Sequence, residues 1–336
     1  MHLLKYGQNH GILPIMTHKN TLLLRVLYVG LILAGSAVLC SAANTHIYWT
    51  DATDDGVFRA STDGSGSAKI IAEPSGFYSG IAVNPNTFQL YWAKTGDGNG
   101  AIRQASLTEL IASDLVSGSN AGTISSPSLD VNLTNNRVYW GRWTRFSLVD
   151  ANGSNQVNSE FLSSTYVTSI SIDTTNNLAY WVRSGGQIWS SDLTGQNSVM
   201  VFDTGVSASR LAIDVPSGKI YYSSSSTDTI YRSNFDGTGA ESLITFTGTD
   251  NPTSLALDLD AGKMYYLLDG PNSIGSANLD GTSSGLIAGL TGLSNPRSLA
   301  LGPIPEASTY ALILGIATLA VAAVFRRKNL KESQEE

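Results

Sequence analysis

The sequence predicts an all-β fold, a six-bladed β-propeller of four-stranded antiparallel blades whose ring is closed by a C-terminal strand. Three observations predict it. Pairs of aromatic residues recur six times, 41 to 48 residues apart. Short apolar alternations bounded by turn residues fill the intervals, and no long 3.6-residue periodicity occurs between 44 and 302. A surplus apolar segment follows the last repeat, while the first repeat lacks its counterpart.

The repeat reads strand by strand. An inner strand ends in an Asx residue seven positions before the tyrosine of each anchor: Asn84, Asn132, Asp173, Asp214 and Asp258. The second strand carries the anchor itself: Tyr48-Trp49, Tyr91-Trp92, Tyr139-Trp140, Tyr180-Trp181, Tyr221-Tyr222 and Tyr265-Tyr266. A third strand starts near Val57, Ile102, Phe146, Ile188, Ile230 and Ile274. Seven residues later Gly64, Gly153, Gly195, Gly237 and Gly281 provide the positive φ of a hairpin, with Glu109 in that place in the second repeat. A fourth strand, such as Ser242–Phe246, completes the unit.

One such sheet cannot bury both faces alone, but a ring of them can. The anchors are then the wedges between blades, because aromatic side chains bring the largest apolar areas. The surplus segment Pro296–Leu301 supplies the inner strand that the first repeat lacks and covers an open edge. Tyr48-Trp49-Thr50-Asp51 resembles the signature of the YWTD, or low-density-lipoprotein-receptor class B, repeat family over residues 47–301. The other repeats keep only the aromatic pair, which leaves NHL and SMP-30-like propellers open as relatives. The resemblance implies a protein-binding scaffold.

Composition excludes several functions. Residues 44–302 hold 13 basic and 23 acidic side chains, a net charge of −10 that repels nucleic acid. The one cysteine, Cys40, and three of the four histidines precede residue 44. A disulfide framework, a Cys/His zinc site and a cysteine nucleophile are thereby ruled out for the propeller. No cofactor or metal is expected, and a catalytic triad would have to use His46.

The two ends read as processing segments. Residues 1–43 form a signal peptide, with a basic start, an apolar run and Ser41-Ala42-Ala43 for the signal peptidase; Met16 is a possible true start. A lipoprotein reading through Cys40 is weak because Leu39 precedes it. Residues 303–336 hold Pro305-Glu306-Ala307, an apolar stretch over 310–325 expected to be a transmembrane helix, and the basic stop Arg326, Arg327 and Lys328. This order resembles the PEP-CTERM sorting signal, with Ala307 where a second proline usually stands. The resemblance implies an exosortase-type processing enzyme, a Gram-negative bacterium, a membrane-anchored stage and delivery to the cell surface.

Two groups of residues are candidate sites. Asp130 has alanine or serine at the matching inner-strand position of the other repeats, and with Arg210 and Arg297 it forms a candidate tunnel site. The turns between second and third strands hold Lys94, Asp269 and, richest in binding-type residues, Arg142, Trp143, Arg145 and Arg183. Asp51–Gly56 lacks the ligand spacing of a calcium loop and reads as a turn. The expected function is an exported, surface-sorted scaffold for protein or polysaccharide in the cell envelope or extracellular matrix. The chain is not expected to be an enzyme; the alternative is a metal-dependent lactonase or lyase, which needs several converging carboxylates.

Overall fold

The computed structural model describes residues 45–73, 76–95, 100–117, 128–142, 145–160 and 166–304, with the backbone alone at 77, 142, 159 and 160. These residues form six four-stranded antiparallel sheets. The first blade holds β1 (Thr45–Asp51), β2 (Gly56–Ser61) and β3 (Ala68–Ala72). The second holds β4 (Phe77–Asn84), β5 (Gln89–Thr95), β6 (Ala101–Ser106) and β7 (Ser113–Ser117). The third holds β8 (Leu129–Asn132), β9 (Arg137–Arg142), β10 (Arg145–Asp150) and β11 (Val157–Glu160). The fourth holds β12 (Val167–Asp173), β13 (Leu178–Arg183), β14 (Gln187–Asp192) and β15 (Val199–Asp203). The fifth holds β16 (Ala208–Asp214), β17 (Lys219–Ser224), β18 (Thr229–Asn234) and β19 (Glu241–Thr245). The sixth holds β20 (Pro252–Asp258), β21 (Lys263–Leu268), β22 (Ser273–Asn278) and β23 (Gly285–Leu286). The last strand, β24 (Pro296–Pro303), joins the first blade beside β1.

The anchor pairs decide how blades meet. Adjacent residues of a strand point to opposite faces, so one blade's pair serves two seams. Tyr48 packs with Trp92, Tyr91 with Trp140, Tyr139 with Trp181, Tyr180 with Tyr222, and Tyr221 with Tyr266, each in its own buried cluster. A sixth cluster combines Tyr265 and Trp49 with Leu299 of β24. All twelve anchor side chains are buried.

The Asx residues act as turn locks. Asn132 Oδ1 accepts from the N–H groups of Thr134 (2.9 Å) and Asn135 (3.2 Å), and Asp173 Oδ1 accepts from Thr175 and Asn176 (both 2.9 Å). Gly302 holds the same place in β24. A Cβ there would lie 2.4 Å from Val83 Cγ1, so a side chain has no room.

Several boundaries differ from the sequence reading. Third strands begin one residue earlier, at Gly56, Ala101, Arg145, Gln187, Thr229 and Ser273. In the hairpin turns after them the glycine has positive φ, and so does the residue two positions on, Gly66, Asn155, Asn197, Gly239 or Ser283. Gly237 (φ 81°) donates to Asn234 O at 2.9 Å, while Asp236 accepts from Thr238 N–H at 2.9 Å. In the second blade Leu110 (φ 57°) takes the left-handed place. The sixth blade's outer strand is only two residues long. A turn in which Leu290 N–H donates to Ile287 O (3.0 Å) diverts the chain, and both side chains enter the cluster with Trp49. β24 runs two residues beyond the expected segment, pairing Ile47 with Leu301 and Thr45 with Pro303.

Candidate functional site

The inner strands β4, β8, β12, β16, β20 and β24 surround a cavity of about 510 Å³. Its wall is mostly small and aliphatic, and Asp130 and Arg210 are its charged side chains among the described residues. A bulge near the start of four inner strands leaves Thr168, Ser209, Thr253 and Arg297 out of the paired register. The next residue in each is Ser169, Arg210, Ser254 and Ser298. Arg210 therefore occupies a serine position of the ring, whereas Arg297 is a bulge residue. Arg297 is exposed and lies outside the cavity wall, so the three candidates are not brought together.

The serines at this level bond adjacent blades. Ser169 Oγ accepts from Leu211 N–H at 3.1 Å, and Ser254 Oγ accepts from Leu299 N–H at 3.0 Å. Sequence reasoning missed them; the signal was a serine just before the apolar triplet of the inner strand. Arg210 makes the equivalent link differently, donating through Nη1 to Thr168 O (2.8 Å) and Ser209 O (3.0 Å). Burial lowers its pKa to about 10. One residue pair deeper, Asp130 accepts from Ile172 N–H (2.7 Å) and Ser171 Oγ–H (3.3 Å) of the next blade and from Val131 N–H (2.7 Å). Burial outweighs these bonds and raises its pKa to about 6. Both groups thus act as braces between inner strands.

The turns between second and third strands form a separate region. Arg142 pairs in register with Arg145 across β9 and β10, and Arg145 is half-buried. Trp143 lies outside the described residues, as do Pro305, Glu306, Ala307, Arg326, Arg327, Lys328 and the stretch 310–325. Arg183 ends β13 and is only 4% exposed. Its guanidinium carbon stands 3.5 Å from the centroid of the Trp189 ring, and Nε has no hydrogen-bond partner. Desolvation lowers its pKa. Lys94, Arg142 and Arg183 hold the same register position in three successive blades, two residues past Trp92, Trp140 and Trp181.

Asp51 is committed to its turn. Oδ1 accepts from Thr53 and Asp54 N–H (both 2.9 Å), and Oδ2 accepts from Asn295 N–H (2.9 Å), just before β24. Among the described residues no group of three His, Cys, Asp or Glu side chains is placed to hold a metal ion. His46 Nε2 lies 3.3 Å from Ser61 Oγ. Among the described residues no helix is long and apolar enough to cross a membrane.

These features define a six-bladed β-propeller with an axial cavity and with arginines at the strand ends that flank two of its turns. No family model matches the chain. It is similar to a chain in the crystal structure of a nidogen/laminin complex, with a TM-score of 0.65 and 14% identity over 76% of this chain and 98% of that one. At that identity the likeness establishes the fold.

Proposed function

We propose that this chain is an exported binding scaffold, sorted to the cell surface, for a protein or polysaccharide of the envelope or extracellular matrix. The observation that carries the reading is the desolvated Arg183 stacked on Trp189 beside a turn between second and third strands. Trp and Arg in desolvated settings dominate binding energies. The structural neighbour comes from a two-protein complex, which fits an interaction role. The pairing of β24 with β1 supports closure of the ring by the C-terminal strand. The YWTD and PEP-CTERM resemblances support surface display after removal of residues 1–43 by signal peptidase and processing of the tail by an exosortase-type enzyme.

The lactonase or lyase alternative gains little support. Asp130 spends its oxygens on inner-strand donors, and its ring counterparts are Ala82, Ser171, Ala212, Ala256 and Ala300. The test is a binding screen of the full chain against envelope proteins and acidic and neutral polysaccharides. Saturable binding to one of them is expected; metal-dependent hydrolysis that Asp130→Ala abolishes would replace the scaffold with the enzyme. Intact mass of the native protein tests the tail, which is expected to end near Pro305.

A further inference from the structure

Arg183 is the most anomalous charge among the described residues. A guanidinium offers five N–H donors, and one buried without acceptors is costly. The Arg183 side chain makes no hydrogen bond or ion pair with a described residue, and burial is the sole cause of its lowered pKa. Other buried or half-buried arginines are matched: Arg103 pairs with Glu73 at 3.1 Å, and Arg137 with Asp150 at 2.7 Å.

The surroundings hold this group still. Trp181 and Arg183 share a strand face, since they are two residues apart. Trp181 belongs to the seam between the third and fourth blades, and Trp189 packs against the same cluster. The stack on Trp189 fixes the guanidinium plane and leaves its N–H edge as the bonding surface. The adjoining turn, Ser184-Gly185-Gly186, carries no bulky side chain. A Cβ at Gly185 would meet nothing within 4 Å, so space is open beside the turn.

We infer that Arg183, held against Trp189, is an anchor for the carboxylate of an Asp or Glu side chain in an acidic segment of a partner protein. A carboxylate matches the guanidinium fork in two parallel bonds. Only a slender group reaches a side chain 4% exposed, and an Asp or Glu carboxylate on its flexible stem is slender, whereas a uronate carboxylate sits directly on a sugar ring. The inference rests on the scaffold reading and names the partner chemistry of that region.

The test follows the Arg183 Nε–H resonance of the full chain during titration with capped hexaglutamate at low salt. Hexaglutamine and hexagalacturonate are titrated in parallel. Hexaglutamate is expected to shift the resonance saturably, and hexaglutamine is not. Arg183→Met is expected to melt at a higher temperature than the wild type, because an unpaired buried charge is gone, yet to bind hexaglutamate about tenfold more weakly or worse. The Nε–H readout needs no variant, so poor folding of Arg183→Met leaves the inference testable. An unmoved resonance, unchanged binding by Arg183→Met, or a response to hexagalacturonate alone overturns it; the last would assign the site to an acidic polysaccharide. Partner binding that survives Arg183→Met would overturn the anchor and spare the scaffold, whereas no saturable binding to any macromolecule would overturn the scaffold.

Discussion

Asp130 places a carboxylate in a wall built mostly of alanine, serine and branched aliphatics, with Arg210 its other charged side chain among the described residues. Its pKa rises from 3.8 to about 6 because burial penalises the charged form more than three hydrogen bonds favour it. Between those two values the native state keeps a proton that the unfolded chain has released. The stabilisation is therefore complete below pH 4 and is lost as pH climbs through about 6. The loss amounts to up to about 3 kcal/mol, two pKa units or so at 1.4 kcal/mol each. Urea unfolding between pH 4 and 7 should show this slope in the wild type and a flatter one in Asp130→Asn, which keeps an acceptor for Ile172 N–H. An equal slope in the variant would assign the dependence elsewhere. The sequence singled out Asp130 because its ring counterparts are small. It could not show the bond to Ile172, which depends on how far one blade is offset from the next. Arg297 was misread for a related reason: a bulge moves it out of register, and the bulge leaves no mark in a composition pattern.

At the scale of the strand, the anchor pair outweighs any single contact. Trp140 is fully buried in the seam between the second and third blades, with Tyr91, Leu129 and Val149 in the same cluster. Trp140→Ala should cost about 3–5 kcal/mol, read as a fall in thermal or denaturant midpoint. The hairpins impose a different demand. Gly237 has φ 81°, and a Cβ there would lie 2.5 Å from the Phe202 ring of the preceding blade. Gly237→Ala should destabilise by at least about 1 kcal/mol, since strain and collision add, and a neutral effect would show that Phe202 gives way. Strand order, anchor spacing and turn glycines were legible because each repeats in the sequence. The short β23 was not, because the turn that shortens it depends on a seam with residues more than two hundred positions away.

For the whole molecule, the decisive feature is that the first and last strands among the described residues share a sheet. β1 lies between β2 and β24, and Trp49 packs in one cluster with Tyr265 and Leu299. Without β24 the first blade would present an open edge, the usual starting point for aggregation. The six-bladed architecture was readable because the anchor pairs recur six times, and the surplus segment is the strand that pairs with β1. The arginine site was readable only as a group of residue types, since burial of Arg183 and its stack on Trp189 emerge from the assembled seam. The most direct measurement is native-state hydrogen exchange of the amides of β24. Protection at Ala300 and Gly302, whose N–H groups face β1, equal to that of the central strands β5 and β13 is expected. Exchange of these amides at the rate of a frayed terminus, with β5 and β13 still protected, would contradict a ring locked by its last strand.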